Sequence, residues 1–423
     1  MSVSDNLAIA FDLGTTTIAA ALLDRETGKR LATAGALNPQ REFGLDVVSR
    51  LDAALKSTEA ARRMKERVVS LLRHLAEELL ATAGAAPEGV KFAAIAGNPA
   101  MEHLLLGLPV NSLAFPPYRP LFTAGRMTSA ADLGWDSALD IFIFPLPGGF
   151  VGGDLVAFLF GREVHITHGT PHVARLYLDL GTNGEIALLT GKGIYATSAA
   201  AGPAFEGGNL ACGMAALPGA ISGVSLDGDR VHLATVGGSV PAGICGSGVL
   251  AAVAELLRTG VIDNTGRIRE PAEIDSNLAG RIAVVDEESA FLLYRDAMHR
   301  IYLSQEDIRQ VQLAKAAIRA GIEVLCERSG TPAEEVREVV ITGSFGATLD
   351  PVTLKKIGVL PEKMVKICSF VKEGALEGAA GAVCAPDGIE AVERLAASIR
   401  VVPLSGTPAF EKYFLEQMNF PVF

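Results

Sequence analysis

The sequence predicts an α/β protein that consists of two similar halves. Two segments of the 423-residue chain, residues 7–36 and 175–200, share the same order of apolar runs and polar turns. In each segment an apolar run ends in Asp-Leu-Gly-Thr, starting at Asp12 and at Asp179, and a Thr-Gly-Lys turn follows the next run. Each segment is therefore predicted to form a meander of three strands. The recurrence of the whole pattern indicates an internal duplication.

Helix and strand patterns alternate outside the two repeats. Apolar residues recur at helical spacing over residues 58–83, which predicts an amphipathic helix. Residues 112–149 are rich in proline and aromatic residues and are expected to be an irregular crossover. Further helices are predicted over residues 100–106, 247–258, 304–328 and 374–384, and buried strands over residues 90–96 and 336–342. Asn98 suits the cap and Pro99 the first position of the helix at residues 100–106, and Ser304 and Asp307 are placed as a capping box for the helix at residues 304–328.

Composition and charge exclude several classes of protein. A hydrophobic fraction of 49% excludes wholesale disorder, and a net charge of −11 argues against nonspecific binding to nucleic acid or to an anionic membrane. The longest uncharged run, residues 231–254, holds five glycines and a proline, which favours a buried loop leading into a helix over a membrane span. The N-terminal residues lack the pattern of a signal peptide. We expect a cytoplasmic protein whose oligomeric state is open, with a homodimer among the alternatives.

The two Asp-Leu-Gly-Thr turns have the chemistry of a phosphate site. Backbone N–H groups and hydroxyls in such a turn can bind phosphate oxygens, and an aspartate at the strand end can hold Mg²⁺ directly or through water. The predicted metal ligands are Asp12 and Asp179. The residues predicted to contact phosphate are Gly14, Thr15, Thr16 and Thr17 in the first turn and Gly181, Thr182 and Asn183 in the second.

Two further glycine turns complete the predicted nucleotide site. Gly343, Ser344 and Gly346 follow a buried strand, where a tight turn can pass under a ribose and base. Gly246 lies in the loop Gly-Ile-Cys-Gly-Ser-Gly, whose backbone is predicted to contact the nucleotide or to shape a substrate loop. A third turn beside two phosphate turns makes ATP or ADP, with Mg²⁺, the expected ligand.

At these turns the chain resembles the superfamily of actin, heat-shock chaperone ATPases and sugar kinases. The first phosphate motif of that superfamily matches Asp12 to Thr16, the second matches Asp179 to Asn183, and the adenosine motif matches residues 343–346. The resemblance implies an actin-like ATPase fold with two ribonuclease-H-like halves around a nucleotide cleft. The halves are predicted to be residues 1–165, with the crossover segment, and residues 166–423, with inserted loops.

Longer motifs are similar to the ATPase region of the reductive activators of corrinoid proteins. They are GNPAMEHLLLGL (97–108), LPGGFVGGD (146–154), LDLGTNGEIAL (178–188), AAGPAFEGG (200–208), GICGSG (243–248), DIRQVQLAKAAIRAGI (307–322) and GVLP (358–361). The resemblance implies an ATPase that helps to return a corrinoid protein from Co(II) to Co(I). A corrinoid protein is the partner that it implies.

The cysteines depart from the pattern of that family, whose active members carry an iron–sulfur domain. The chain has five cysteines, and no two of them lie within four residues of each other. Such spacing does not suit an iron–sulfur cluster or a zinc site. We therefore expect no iron–sulfur cluster in this chain and a separate ferredoxin-type protein as the electron donor.

Two acidic residues are the candidates for catalysis. Asp154, after Gly152 and Gly153, is placed like the catalytic aspartate of sugar kinases and would orient a water in an ATPase. A helix N-cap is the alternative interpretation of Asp154, and the two roles are compatible. Glu206, in a loop of small residues, would orient water or hold Mg²⁺, and a solvated loop charge is its alternative.

Two other functions remain open at this point. A small-molecule kinase would use Asp154 as a true base toward a bound hydroxyl. A non-catalytic nucleotide sensor or assembly protein would bind nucleotide tightly and hydrolyse it slowly. The loops between the nucleotide motifs match the corrinoid activators better than they match the sugar-binding loops of kinases, which favours the ATPase.

Overall fold

The computed structural model describes residues 6–135, 137, 139–163, 173–343 and 349–422. The chain forms two compact units. The first unit comprises Met1–His172, Gly191–Thr197 and Glu373–Pro403. The second comprises Val173–Thr190, Ser198–Lys372 and Leu404–Phe423. The domain boundary predicted between residues 165 and 166 falls in a segment outside the described residues.

Strands and helices alternate along the chain, as predicted for an α/β protein. The strands are β1 (Leu7–Leu13), β2 (Thr17–Asp24), β3 (Arg30–Leu37), β4 (Val90–Gly97), β5 (Arg126–Ser129), β6 (Asp140–Ile143), β7 (Ala174–Leu180), β8 (Gly184–Thr190), β9 (Gly193–Ala199), β10 (Ala220–Asp227), β11 (Arg230–Thr235), β12 (Gly243–Ile244), β13 (Ile282–Val285), β14 (Glu288–Arg295), β15 (Arg300–Ser304), β16 (Val336–Thr342), β17 (Cys368–Phe370) and β18 (Ile399–Val401). The helices are α1 (Val47–Lys56), α2 (Thr58–Ala83), α3 (Pro99–Leu106), α4 (Asn111–Ala114), α5 (Ala130–Leu133), α6 (Gly153–Glu163), α7 (Gly246–Arg258), α8 (Gln305–Ser329), α9 (Pro351–Ile357), α10 (Glu362–Val365), α11 (Gly374–Cys384), α12 (Gly388–Ser398) and α13 (Pro408–Glu416).

The first unit is built on a sheet with the strand order β3-β2-β1-β4-β6-β5. The apolar strand β1 lies in its middle, antiparallel to β2 and parallel to β4. Helix α2 packs on β2 and β3. The apolar residues of α2 recur every three or four positions, so they form one buried stripe along the helix. The stripe consists of Met64, Val68, Leu72, Leu75 and Leu79.

The second unit repeats this arrangement around β7. Strand β7 is antiparallel to β8 and parallel to β16, which in turn is parallel to β17. The register is also equivalent: Asp12 lies beside Ala96 of the parallel neighbour β4, and Asp179 lies beside Thr342 of the parallel neighbour β16. The predicted duplication and the actin-like fold are thereby confirmed.

Several local predictions are confirmed in detail. Helix α3 begins after Asn98, whose side chain accepts a hydrogen bond from the Met101 N–H, and proline occupies the first helical position. Helix α8 begins with the predicted capping box between Ser304 and Asp307.

Two predictions for irregular segments are wrong in part. The crossover over residues 112–149 contains β5 and β6, and β6 extends the first sheet beside β4. The uncharged run over residues 231–254 leads into α7 as predicted, but it also contains most of β11, which pairs with β10 in a separate three-stranded sheet. Glycines and prolines near these short strands are typical of turns and loops, so the sequence pattern favoured irregular structure there.

Helices α6 and α11 of the first unit cross at unusually close range. A Cβ atom added to Gly378 in α11 would lie 1.6 Å from the carbonyl oxygen of Ala157 in α6. Nearby, a Cβ atom on Gly161 would lie 2.9 Å from the Cα atom of Gly378. Backbones can approach this closely only where side chains are absent, so the small-residue pattern of α11 is a packing requirement.

We expect Gly378→Ala to lower the free energy of unfolding by about 3 kcal/mol, because the added methyl group cannot fit between the two backbones. Gly381→Ala on the same helix is the matched control. A Cβ atom there would lie 3.7 Å from Phe160, an ordinary contact, so helix propensity should stabilise this variant by up to about 1 kcal/mol. Urea unfolding of both variants measures the difference, and equal stability would contradict the packing argument.

Candidate functional site

The first predicted phosphate turn joins β1 to β2. A Cβ atom on Gly14 would lie 2.5 Å from the carbonyl oxygen of Thr17, so this turn closes only with glycine. The side-chain amide of Asn38 donates to the Gly14 carbonyl at 2.8 Å, and the Asn38 N–H donates to the Thr16 carbonyl at 2.9 Å. The end of β3 therefore holds the turn in one conformation.

A second asparagine holds the hydroxyl of Thr15. The Asn98 side-chain amide donates to Thr15 Oγ1 at 2.9 Å, while its Oδ1 accepts from the Met101 N–H at 3.1 Å. Thr15 is buried, Thr16 is half-buried and Thr17 is exposed. Asn98 thus connects the first turn to helix α3. The sequence indicated Asn98 only as a helix cap, and this connection to the turn was missed.

The second predicted phosphate turn joins β7 to β8 and contacts Glu206. The Gly181 N–H donates to the carbonyl of Asn183 at 3.0 Å. The hydroxyl of the buried Thr182 donates to Glu206 Oε2 at 2.5 Å. Glu206 is the last residue of a short 3₁₀ helix, Pro203–Glu206, and is half-buried. The structure therefore brings together Glu206 and Thr182, two residues that the sequence had placed in separate motifs.

Glu185 is an acidic residue beside Asp179 that the sequence analysis missed. The two residues lie opposite each other on the antiparallel strands β7 and β8. Glu185 is buried, and its Oε1 accepts a hydrogen bond from the hydroxyl of Ser198 at 3.2 Å. A glutamate within the apolar strand Gly184–Thr190 was the available signal, because buried carboxyl groups are rare in strands.

The glycine turns of the second unit lie close to backbone carbonyls. Gly343 has a positive φ of 126°, and a Cβ atom on it would lie 2.4 Å from the carbonyl oxygen of Leu180. A Cβ atom on the buried Gly246, at the start of α7, would lie 1.7 Å from the carbonyl oxygen of Phe205, next to Glu206. Ser344 and Gly346 lie outside the described residues. Contacts of Gly246 and of the turn at residues 343–346 with a nucleotide stay a prediction.

Asp154 lies within the first turn of a helix. Helix α6 begins at Gly153, so Asp154 is the second residue of the helix. The alternative interpretation of Asp154 as the N-cap, which precedes the first helical residue, is therefore wrong. Its Oδ1 still accepts a hydrogen bond from the Leu155 N–H at 2.8 Å, which satisfies one of the free donors of the helix start. Burial raises the pKa of Asp154 from its usual value near 3.8 to about 6. The group is therefore charged at neutral pH, yet able to accept a proton.

The cysteines of the chain are free thiols. Cys245 is buried, and its Sγ donates to the carbonyl oxygen of Ile221 at 3.3 Å. Burial raises the pKa of Cys326 to about 12 and that of Cys368 to about 11. Among the described residues, no group of three or more His, Cys, Asp or Glu side chains is arranged to hold a metal ion. No described helix is both long and apolar enough to cross a membrane.

Comparison with known proteins identifies the family. Residues 174–423 match the family described as the C-terminal domain of RACo, the ASKHA domain, and residues 7–167 match the RACo middle region. The chain belongs to the RACo family. A solved structure named reductive activator for corrinoid,iron-sulfur protein superposes with a TM-score of 0.88 at 30% identity, covering 99% of this chain and 67% of that one.

Curated relatives of the family are longer than this chain. The corrinoid activation enzyme RamQ of Eubacterium limosum is 34% identical over an alignment of 367 residues, and the match covers 84% of this chain and 60% of that protein. The [Co(II) methylated amine-specific corrinoid protein] reductase of Methanosarcina barkeri is 26% identical over an alignment of 395 residues, and the match covers 86% of this chain and 67% of that protein. The chain thus spans about 60% of the length of RamQ.

We expect Asn98→Ala to lower the free energy of unfolding by about 2 to 3 kcal/mol, because it removes a helix cap and leaves the Thr15 hydroxyl without its donor from Asn98. Ser57→Ala is the control, since Ser57 caps α2 with a hydrogen bond from Ala60 and should cost about 1 kcal/mol. Chemical denaturation measures both. Equal losses would show that the bond to Thr15 contributes nothing.

Proposed function

We propose that this chain is an ATP-hydrolysing motor that assists the reductive reactivation of a corrinoid protein, from Co(II) to Co(I). The observation that carries the proposal is the pair of equivalent Asp-Leu-Gly-Thr turns, at the same register in two sheets, in a chain 34% identical to a corrinoid activation enzyme. Phosphate-binding turns alone would suit many proteins. Their combination with this relative favours corrinoid activation over the kinase and sensor alternatives.

The turns supply the groups that a Mg²⁺-bound nucleotide requires. Gly14 and Gly343 permit backbone geometries that a side chain would block. Backbone N–H groups in such turns can bind phosphate or ribose oxygens. Asp12 and Asp179 each stand at the end of a central strand and offer hard oxygen ligands. Mg²⁺ is typically held by one or two carboxylates together with phosphate oxygens and water, so these residues fit the ion.

Two carboxylates would orient the attacking water. Asp154 is half-buried and its pKa of about 6 keeps it charged at neutral pH, which suits an acceptor of a water proton. Glu206, held by the Thr182 hydroxyl, would fix a water or an Mg²⁺ ligand beside the second turn. Hydrolysis would let the protein alternate between nucleotide states with different affinities for its partner.

We propose that the electron that reduces the cobalt comes from another protein. Burial raises the pKa of the Cys326 and Cys368 thiols, which makes them poor metal ligands because metals bind the thiolate form. A separate ferredoxin-type protein is the proposed donor, and the corrinoid protein is the proposed acceptor. The chain itself would use ATP to make the cobalt easier to reduce.

Phosphate release from Mg·ATP tests the proposed function directly. We expect slow release by the purified protein alone and faster release when a Co(II) corrinoid protein from the same cell is added. The same corrinoid protein without its cobalamin is the control and should stimulate less. Transfer of phosphate to a small metabolite, or no response to the Co(II) protein, would contradict the proposal.

We expect Asp12→Ala and Asp179→Ala each to lower the rate of hydrolysis by at least about 100-fold, because each removes a carboxylate proposed to hold Mg²⁺ against the phosphates. Asp52→Ala is the control, since Asp52 lies on the exposed face of α1 and pairs only locally with Lys56 at 2.7 Å. Circular dichroism verifies that all three variants fold. Full activity of either site variant would remove that residue from the site.

A further inference from the structure

Glu102 is a fully buried carboxyl group with one free oxygen. It lies on α3, within the motif of residues 97–108, and its relative exposure is 0%. Oε1 accepts a hydrogen bond from the Gly97 N–H at 3.1 Å. Oε2 is buried without a hydrogen-bond partner among the described residues. A buried carboxylate in this position would carry an uncompensated charge, which is costly.

The start of α6 brings Glu102 close to Asp154. A Cβ atom on Gly153 would lie 2.7 Å from Glu102 Oε1, and one on Gly152 would lie 2.7 Å from Asp154 Oδ1. Glu102 Oε1 therefore faces the backbone at the start of α6, next to the residue that carries the Asp154 carboxyl group. Asp154 acts electrostatically on the Glu102 carboxyl. Two interacting carboxyl groups in buried surroundings do not both ionise readily, so the pair favours a single negative charge.

We propose that Glu102 is the positioning residue of Asp154: the Glu102 carboxyl keeps a proton, so that the pair carries one negative charge and that charge lies on Asp154. The catalytic use of Asp154 rests on the proposed function, whereas the shared charge does not depend on that function. A neutral Glu102 offers a donor from Oε2 and leaves Asp154 as the proton acceptor for water.

The surrounding charges agree with this division. Burial raises the pKa of Glu102 well above its usual range, and the charge of Asp154 raises it further. The pKa of Asp154 is raised less, to about 6. Asp154 therefore ionises first and Glu102 remains protonated at neutral pH.

The other charged groups around α3 contact different parts of the helix. The Arg50 guanidinium of α1 contacts Met101 Sδ at 3.3 Å, and the end of Lys65 from α2 lies beside Gly107. His103 of α3 itself accepts from the Leu121 N–H through Nε2, and its pKa is lowered by burial and, more weakly, by Arg126. Within the described part of the chain, Asp154 is the charged group that acts on the Glu102 carboxyl.

Glu102→Gln, Glu102→Ala and Asp154→Asn test the proposal. Glutamine copies a protonated glutamate, so Glu102→Gln should hydrolyse ATP within about threefold of the wild-type rate with the same acid limb near pH 6. Glu102→Ala should lose at least about tenfold, since it removes both the acceptor for Gly97 and the neighbour of Asp154. Glu78→Gln, on the exposed face of α2, is the control and should behave as wild type.

Infrared spectroscopy of the carboxyl groups tests the shared charge without relying on hydrolysis. We expect a protonated-carboxyl band at neutral pH in the wild type that is absent in Glu102→Gln. In Asp154→Asn the band should titrate at lower pH, because the neighbouring negative charge is gone.

The outcomes separate the two proposals. A Glu102→Gln variant as inactive as Asp154→Asn, or a wild-type spectrum without the protonated band, would overturn the role of Glu102. Absence of hydrolysis in every variant together with the expected infrared band would reject the ATPase and retain the carboxyl pair.

Discussion

The first half of the candidate site depends on the close approach of three backbone segments. The ends of β1 and β4 and the start of α6 meet at Gly97, Gly152 and Gly153. A Cβ atom on Gly152 would lie 2.5 Å from the Cα atom of Asn98, so any side chain there would push the helix away. Because the segments can touch, Asn98 reaches the Thr15 hydroxyl and Asp154 comes beside Glu102.

The duplicated units use the same backbone with different supporting side chains. In both, an aspartate is the last residue but one of a central strand that lies between an antiparallel and a parallel neighbour. In the first unit an asparagine amide holds the threonine that follows, whereas in the second a glutamate carboxylate accepts from it. An amide and a carboxylate differ in charge, so the electrostatic surroundings of the two turns differ.

The sequence was most informative where local chemistry decides the structure. The paired turns, the amphipathic stripe of α2 and the caps of α3 and α8 depend on residues a few positions apart, and all of these elements were predicted. The short strands β5, β6 and β11 were not, because their patterns are brief and only pairing with a neighbour stabilises them. For Asn98 the sequence predicted the helix cap, which involves a residue three positions away. It did not predict the hydrogen bond to Thr15, which joins residues that are distant in sequence.

By itself the sequence determined the α/β class, the duplication, the paired Asp-Leu-Gly-Thr turns and the family, since repeated motifs and periodic apolar residues can be recognised along the chain. Only the tertiary structure decided that Glu206 meets Thr182, that Glu185 lies opposite Asp179 and that Glu102 shares its surroundings with Asp154. The physical reason is the same in each case. A carboxyl group acquires its charge and its partners from burial and neighbours, and those are set by segments that are distant in sequence and adjacent in the fold.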